Sequence, residues 1–426
     1  MKKVLWITSW FPPRVGVATI RNIKFLKYLH AFDWEAMVIC PRETMEHTEA
    51  SRHLLSQLND SVKVSHGPRD LFYYFFDQRE GARKNKYLAY LVNNILPPDG
   101  HIFWALAVLF QIGRQIKQYQ PDLIYTNSKP FSLNLIGAWV KYRYKLPWVT
   151  DFRDLWTLNP MSSKRFLKAY HGVVSNWLER FYLKRCDVLV VNTEESRSRM
   201  IEKYPMLINK TCVIPNGYDP DDIGAQQENH KIPRTLFYGG TIDRKTDYTP
   251  LPLLDLLAKL PNDADQYSTW ELHYGGSDGE TLVDLAGEVG LKIKCKTHGY
   301  LEQTRFYSLI QRMEYVMLCM PLGVESKSWV PARFYDYIGN GSRIICLAYS
   351  DSEVSRLLER YGDSIVLLYD EPEEQRIAKL HTYLSHGSNN HKTGGEFAKH
   401  FNRRELTGRL AQVFEQVVMA GNKELS

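Results

Sequence analysis

Two regions of this chain alternate strand-like apolar runs with amphipathic helical stretches, and this alternation constrains the fold more than any other feature. The first region has six such runs, at Val4–Ser9, Ala36–Cys40, Leu123–Thr126, Trp148–Thr150, Val188–Val191 and Thr211–Ile214. Helical periodicity lies between them at Ile20–His30, Phe131–Tyr144, Arg165–Lys184 and Glu195–Lys203. Strands that are apolar throughout belong to sheets covered on both faces, because neither face meets water. The pattern therefore predicts a doubly wound parallel α/β sheet.

A polar segment without periodicity, 218–231, interrupts the alternation and predicts a linker. The alternation resumes at Thr235–Tyr238, Glu271–Tyr274, Lys292–Cys295, Tyr315–Cys319, Arg343–Leu347 and Ser364–Leu367. We predict an N-terminal domain over 1–217 and a C-terminal domain over 232–402, with a last helix, 403–426, that joins the N-terminal domain. Ligands bind outside the carboxyl ends of the strands in such sheets, so the expected site is a cleft between two facing Rossmann-like domains.

Composition and charge narrow the class of protein. A chain of 426 residues with 44% hydrophobic and 24% charged residues is typical of a globular protein of two or three domains. The net charge of +6 suits phosphorylated ligands or an anionic membrane face, and nucleic acid is not expected as a partner. The apolar run at the N-terminus is too short for a signal peptide, and no stretch approaches the ~20 apolar residues of a spanning helix. Six scattered cysteines without a C-x-x-C pair indicate reduced core residues in a cytoplasmic protein.

The segment WVPARFYDYIGNGSRIIC, residues 329–346, carries the most specific local chemistry. Pro331 suits the first turn of a helix, which places Arg333 and Asp336 near that helix start and three positions apart on one face. Free N–H groups and the helix dipole attract an anion there, so a nucleotide diphosphate would find Arg333 for phosphate and Asp336 for ribose. An ordinary helix with a solvent-exposed Arg–Asp pair is the alternative.

Loops that follow strands supply further candidates in the first region. Gly16 follows the first strand and can bring backbone amides to a phosphate, although a plain turn explains it too. Asn127 and Asp151 end two strands, and both are candidates to contact a sugar. Asp154 follows in DFRDLW, where a buried structural pair with arginine is an equal explanation.

Loops of the second region fit a nucleotide. The run FYGGTIDRK, residues 237–245, places Gly240 before two cations, Arg244 and Lys245, which suits a diphosphate, although exposed basic turns are common. Gly275 and Tyr300 lie in two further loops that follow strands and are candidates for the base or ribose. The histidines form no HxH or HExxH array, so no cofactor and a metal-independent reaction are expected.

Together these motifs resemble the retaining family 4 glycosyltransferases of the GT-B fold, over nearly the whole chain. The resemblance is carried by SWFPPRVGVATIR (9–21), the block 121–156 from PDLIYTNSKP to DFRDLW, VIPNGYD (213–219), LFYGGTIDRK (236–245) and VPARFYDYIGNGSRII (330–345). It implies transfer of a sugar from a nucleotide diphosphate sugar, such as a UDP- or GDP-sugar, to an acceptor hydroxyl in surface glycan synthesis.

The resemblance also implies roles for the candidates. The Gly16 amide would face the donor, and Arg244 or Lys245 would neutralise the diphosphate together with Arg333. Asp336 would hold the ribose, while Asp151 or Asn127 would contact the transferred sugar on the acceptor side. Two departures stand out: the family often has two Glu eight residues apart where this chain has Ser328 and Asp336, and the Gly-Gly of the first loop is reduced to Gly16-Val17.

Two other functions remain open from the sequence: an epimerase of nucleotide sugars on the same two-domain plan, and a catalytically weak nucleotide-sugar-binding protein. The acceptor is a glycan or a lipid-linked sugar. Leu71–Phe76 and the basic residues that follow it fit either an apolar core segment with a solvated helix face or a peripheral contact with the inner face of a membrane.

Overall fold

The computed structural model describes residues 1–43, 45–70, 96–158, 168–224, 231–244, 248–261, 267, 269–323, 327–385 and 395–425. The chain divides into two compact units. The N-terminal unit comprises Met1–Pro215 together with Arg404–Ser426, and the C-terminal unit comprises Asn216–Arg403.

The N-terminal unit is built on a seven-stranded parallel sheet of order β3-β2-β1-β4-β5-β6-β7. Its strands are β1 Lys2–Ile7, β2 Trp34–Cys40, β3 Val62–His66, β4 Leu123–Ser128, β5 Trp148–Phe152, β6 Val188–Val191 and β7 Thr211–Val213. Its described helices are α1 Val17–Leu29, α2 Glu49–Leu55, α3 Ile102–Tyr119, α4 Leu133–Tyr144, α5 Lys168–Arg185, α6 Glu194–Lys203 and, at the end of the chain, α15 Arg403–Leu425.

Two cores lie on the two faces of this sheet. Successive side chains of a strand point to opposite faces, so Leu5 and Ile7 enter one core while Val4 and Trp6 enter the other. The first core is closed by α3, α4 and α5, and the second by α1 and α15. The last helix therefore completes the N-terminal unit.

The C-terminal unit has a six-stranded parallel sheet of order β10-β9-β8-β11-β12-β13. The strands are β8 Ile232–Gly239, β9 Glu271–Gly275, β10 Lys294–Thr297, β11 Met313–Cys319, β12 Arg343–Ala348 and β13 Ser364–Leu368. The described helices are α7 Pro220–Ile223, α8 Leu251–Ala258, α9 Gly279–Glu288, α10 Gln303–Arg312, α11 Ala332–Gly339, α12 Glu353–Tyr361, α13 Glu373–Ser385 and α14 Gly395–Lys399.

The described part of the segment predicted as a linker packs within the C-terminal unit. The Tyr218 amide donates to Phe401 O (3.0 Å), and the Arg403 amide donates to Tyr218 O (2.9 Å). Gln303 Nε2 donates to Asp222 on α7 (2.5 Å). These bonds hold 218–223 against α10 and the end of the unit, so the chain enters the second unit directly after Pro215.

The predicted fold class, two doubly wound parallel α/β units, is confirmed. Among the described residues no helix is both long and apolar enough to cross a bilayer. Leu71–Phe76 and the basic residues that follow it lie outside the described residues.

Candidate functional site

Arg333 lies against the turn that follows β8. It occupies the second position of α11, and its Nη1–H donates to the carbonyl oxygen of Gly239. Its guanidinium carbon lies 5.1 Å from the ring centroid of Tyr238. The structure thus brings together two motifs that are about ninety residues apart in the sequence, YGGT and PARFYD.

The turn that receives Arg333 needs glycine. Gly240 has φ 113°, which side-chain-bearing residues rarely adopt, and a Cβ there would lie 2.8 Å from Arg333 Cζ. Its N–H donates to Gly275 O (2.9 Å), and its own carbonyl accepts from the Tyr274 hydroxyl (2.7 Å). The turn is therefore held from both sides while the arginine rests on its backbone.

Among the described residues Arg333 forms no ion pair with a carboxylate. The side chain is half-buried, so its charge is partly removed from water. Helix α11 begins at the same place, with Pro331 as its N-cap, no side-chain cap and no acidic residue in its first turn. A half-buried cation beside an uncapped helix start has the character of an oxyanion site, and the predicted alternative of an Arg333–Asp336 surface pair is wrong.

Asp336 lies one turn further along α11. Its Oδ1 accepts a 2.6 Å hydrogen bond from the hydroxyl of Tyr307, a residue of α10 that is 2% exposed. Burial, followed by the nearby Asp336 charge, raises the pKa of Tyr307 well above its usual value, so the tyrosine remains a donor. The carboxylate is held in one orientation and is half-buried.

Gly275 and Tyr300 occupy neighbouring loops. A Cβ on Gly275 would come within 2.7 Å of Leu301 Cδ1, so this position is glycine because of packing. The amide of Gly276 donates to Gly299 O (2.9 Å), which ties the loops after β9 and β10 together. Tyr300 is 73% exposed and free to meet a ligand.

Arg244 points elsewhere. Its Nη1 lies 2.7 Å from Glu288 Oε1 in a half-exposed ion pair with the end of α9, beside an open depression of about 750 Å³. That Arg244 joins Arg333 in binding a diphosphate stays a prediction, and in this structure Glu288 provides its counter-charge. Lys245 lies outside the described residues.

The position of Asp151 corrects its prediction as a catalytic residue. Its side chain is fully buried, and Oδ2 accepts from Arg21 Nε (3.1 Å), Arg21 Nη2 (3.0 Å) and the Tyr125 hydroxyl (2.6 Å). Along β5 it points to the same face as Val149, beneath α1, which supplies Arg21. Arg21 also donates to the carbonyls of Ile214 and Pro215 (2.8 Å each), so the pair is structural.

Asn127 and Gly16 keep features of ligand-binding residues. Asn127 is 1% exposed and lies opposite Asp151 in the sheet register, and its Nδ2 has no hydrogen-bond partner among the described residues. Gly16 is the N-cap of α1, which has no side-chain cap. Its backbone is extended, and an added Cβ would make only an ordinary contact with Trp10 at 3.7 Å. Neither backbone strain nor packing requires glycine there. Asp154 pairs with Arg153 (2.9 Å), as its structural explanation predicts, but its side chain is 39% exposed, so the pair is not buried.

A pair of histidines lies between β9 and the loop that carries Tyr300. His273 Nδ1 and His298 Nε2 are 2.9 Å apart, and His273 Nε2 lies 3.2 Å from Glu271 Oε2. Burial lowers the pKa of both histidines below the usual 6.5, and in His298 the His273 charge adds to this. Both rings are therefore neutral at pH 7, with His273 donating to Glu271 and accepting from His298.

Sequence patterns do not indicate the residues that support the site. Tyr274 and Tyr307 position Gly240 and Asp336, and Arg21 anchors the strand ends of the N-terminal unit. The count of 26 tyrosines was the available signal, but it does not say which hydroxyls face which loops. Among the described residues no group of three or more His, Cys, Asp or Glu is placed to hold a metal ion.

Residues 20–222, slightly less than half of the chain, match the family model described as Glycosyltransferase Family 4. A curated relative, an uncharacterized glycosyltransferase of Methanocaldococcus jannaschii, is 24% identical over 127 residues, which are 29% of this chain and 30% of that protein. The alignment thus spans less than a third of the relative. Over this N-terminal half, the resemblance to family 4 glycosyltransferases is confirmed.

Two solved structures extend the comparison to the whole chain. Sucrose-phosphate synthase from Thermosynechococcus elongatus superposes with a TM-score of 0.63 at 13% identity, over 99% of this chain and 100% of that one. The UDP-GlcNAc 2-epimerase from M. jannaschii superposes with a TM-score of 0.55 at 12% identity, over 98% and 100%. The chain has the GT-B fold, and identities this low show the fold alone.

Proposed function

We propose that this GT-B chain, whose N-terminal half matches family 4, is a retaining glycosyltransferase that moves a sugar from a nucleotide diphosphate sugar to an acceptor hydroxyl. Arg333 carries the proposal: it is a half-buried guanidinium without a carboxylate partner among the described residues, held against the Gly239–Gly240 turn at the start of α11. A leaving diphosphate develops negative charge, and a fixed cation with backbone N–H groups stabilises it without reorganisation.

The rest of the proposed chemistry needs little from side chains. The bond between the anomeric carbon and the diphosphate oxygen breaks, and the acceptor oxygen bonds to the same face of the sugar while its proton passes to a phosphate oxygen. This gives retention without an enzyme nucleophile and without a resident metal, and EDTA should leave the rate unchanged. Asp336, oriented by Tyr307, would accept from the ribose hydroxyls, and Gly16 and Asn127 would face the sugar. Asp151 is left out, since its carboxylate is paired with the buried Arg21. We place the reaction in the cytoplasm, in the synthesis of a surface glycan.

Incubation with a panel of UDP- and GDP-sugars, with and without a cell extract as acceptor source, tests this function. Release of nucleoside diphosphate that depends on the extract is expected, and NMR of the product should show the donor's anomeric configuration. An epimerase would return a changed nucleotide sugar without acceptor. Donor binding without either product would leave a binding protein.

Replacement of Arg333 tests the observation that carries the proposal. Arg333→Ala should raise the donor dissociation constant by roughly 10- to 100-fold, the size expected for charge-assisted hydrogen bonds, while thermal unfolding changes little. Arg312→Ala is the matched control, because Arg312 is an exposed arginine of the same unit at the end of α10. Donor affinity equal to wild type in Arg333→Ala would remove the phosphate role of Arg333.

A further inference from the structure

Helix α3 carries exposed apolar side chains on one face. Phe103, Leu106 and Phe110 are 53%, 43% and 91% exposed, and their spacing of three and four places them on one side of the helix. The same face continues with two exposed cations, Arg114 and Lys117. The opposite face, with Trp104, Ala105, Val108, Ile112 and Ile116, is buried in the core. Because the opposite face already packs the helix against the core, the exposed apolar residues do not contribute to that packing.

Helix α5 repeats this arrangement. Tyr170, Val173 and Trp177 are 48%, 72% and 62% exposed at the same spacing, and Arg180 and Lys184 continue that face. Trp177 stacks on the half-buried ring of Phe181, with centroids 5.6 Å apart. Single exposed apolar residues are common, but three on one face of each of two helices mark an interaction surface. We call these two faces together the aromatic–basic face.

Both parts of the aromatic–basic face lie on one side of the N-terminal sheet. Helices α3 and α5 cover the same core, with α4 packed between them. Each leads from the carboxyl end of one parallel strand back to the start of another, so its first half lies near the carboxyl edge of the sheet. The apolar residues occupy the first halves and the cations the second halves. The apolar part is therefore on the side of the sheet where Asn127 and Gly16 lie.

The charge of these helices selects the occupant. Their acidic residue, Glu179 on α5, is fully buried and accepts from Tyr204 and Lys203. The cations of α3 and α5 are Arg114, Lys117, Lys168, Arg180, Lys184 and Arg185. Helix α4 between them adds Arg143 and Lys141, of which Lys141 pairs with Asp187. Aromatic and aliphatic side chains with cations along the same helix face are typical of helices that lie in the headgroup region of anionic bilayers.

We propose that the aromatic–basic face of α3 and α5 binds an anionic phospholipid bilayer. Its six apolar side chains insert at the headgroup boundary, and its cations contact lipid phosphates. A further consequence rests on the proposed glycosyl transfer. Because the carboxyl edge of the N-terminal sheet would then lie on the membrane side, the acceptor is lipid-linked.

Co-sedimentation of the full-length protein with vesicles tests the proposal. Binding to vesicles of phosphatidylcholine with phosphatidylglycerol is expected to exceed binding to phosphatidylcholine alone, and to fall as NaCl is raised. The double variant Phe110→Ser/Trp177→Ser should lower the partition coefficient by about tenfold or more, because two large apolar groups no longer insert. Arg114→Glu/Lys184→Glu should remove the preference for anionic lipid.

The control is Met419→Ser, on the helix that covers the other face of the same sheet, where Met419 is 58% exposed. It should bind vesicles as the wild type does, and all variants should keep the wild-type unfolding temperature. The proposal would be overturned if the wild-type protein stayed in the supernatant with both kinds of vesicle, or if the apolar variants bound as strongly as the wild type. It would also be overturned if this face bound an acidic protein and not lipid. Arg333→Ala should bind vesicles as the wild type does, whether or not it turns over a donor. Membrane binding can therefore be confirmed or refuted independently of the proposed glycosyl transfer.

Discussion

The carboxyl edge of each sheet carries a charged residue at or after a strand end, but the surroundings of the two residues differ. At the N-terminal edge, Asp151 lies at the end of a strand, yet it is fully buried and Arg21 and Tyr125 both donate to its Oδ2. At the C-terminal edge, Arg333 follows a strand by one loop and contacts a backbone carbonyl and the ring of Tyr238, with no carboxylate partner among the described residues. A polar residue at a strand end is thus no more than a candidate. What separates structure from site is whether the covering helix brings a counter-charge.

Removal of Arg21 tests the buried side of this comparison and should have the largest effect. Arg21→Ala leaves the Asp151 carboxylate buried without its cation, which typically costs about 3–5 kcal/mol of unfolding free energy. Denaturant unfolding of the full-length protein measures it. The double variant Arg21→Met/Asp151→Leu should recover most of the loss, because no buried charge remains. A single variant as stable as wild type would show that Asp151 is not held as an ion pair.

Gly240→Ala tests the other side of the comparison, the turn against which Arg333 lies. Its φ of 113° predicts about 1–3 kcal/mol of backbone strain, and the new Cβ would also collide with Arg333 Cζ at 2.8 Å. Gly290→Ala separates the two causes, since Gly290 also has positive φ (65°) but no atom within 4 Å of the added Cβ. Both variants should lose stability, but only Gly240→Ala should weaken donor binding, measured by calorimetry. Equal donor affinity in the two would mean that Arg333 does not bind the donor from its place against this turn.

The His273–His298 pair predicts how the C-terminal unit responds to acid. Burial lowers the folded-state pKa of both histidines below the unfolded value of 6.5, so the unfolded chain binds more protons between those two values. Unfolding free energy should therefore fall as the pH drops below about 6.5, by up to about 1.4 kcal/mol per pH unit for each proton. Unfolding curves between pH 7.5 and 5 measure this slope. His298→Gln should make it shallower, and an unchanged slope would exclude the pair as its source.

The sequence predicts the fold well because its cause is local. Near-continuous apolar strands and helical periodicity mark β1, β4, β5 and most of the C-terminal strands, and the structure has strands there. The edge strand β3, Val62–His66, escaped notice because its sequence VKVSH is short and half-polar. Strand bounds are also less exact: the sequence predicts a strand at Lys292–Cys295, while β10 is Lys294–Thr297.

The site is less predictable because its causes are distant in sequence. Arg333 and Gly240 were both singled out, yet their contact depends on how α11 packs beside β8. Asp151 was misassigned because its partner, Arg21, is 130 residues away on α1. Local sequence does not distinguish an arginine that contacts the backbone of a turn, such as Arg333, from one that pairs with a carboxylate on the strand beneath its helix, such as Arg21.

Gly16→Ala is expected to have the smallest effect on the fold and so gives the sharpest test of the N-terminal edge. Its extended backbone suits alanine, and the new Cβ would meet Trp10 only at 3.7 Å, so unfolding free energy should stay within about 0.5 kcal/mol of wild type. If a donor oxygen approaches the start of α1, that same methyl group should weaken donor binding or turnover. Val17→Ala, at the adjacent and 44% exposed position, is the matched control and should change neither. Wild-type kinetics in Gly16→Ala would mean that glycine there serves no ligand, and Asn127 would remain as the candidate at this edge.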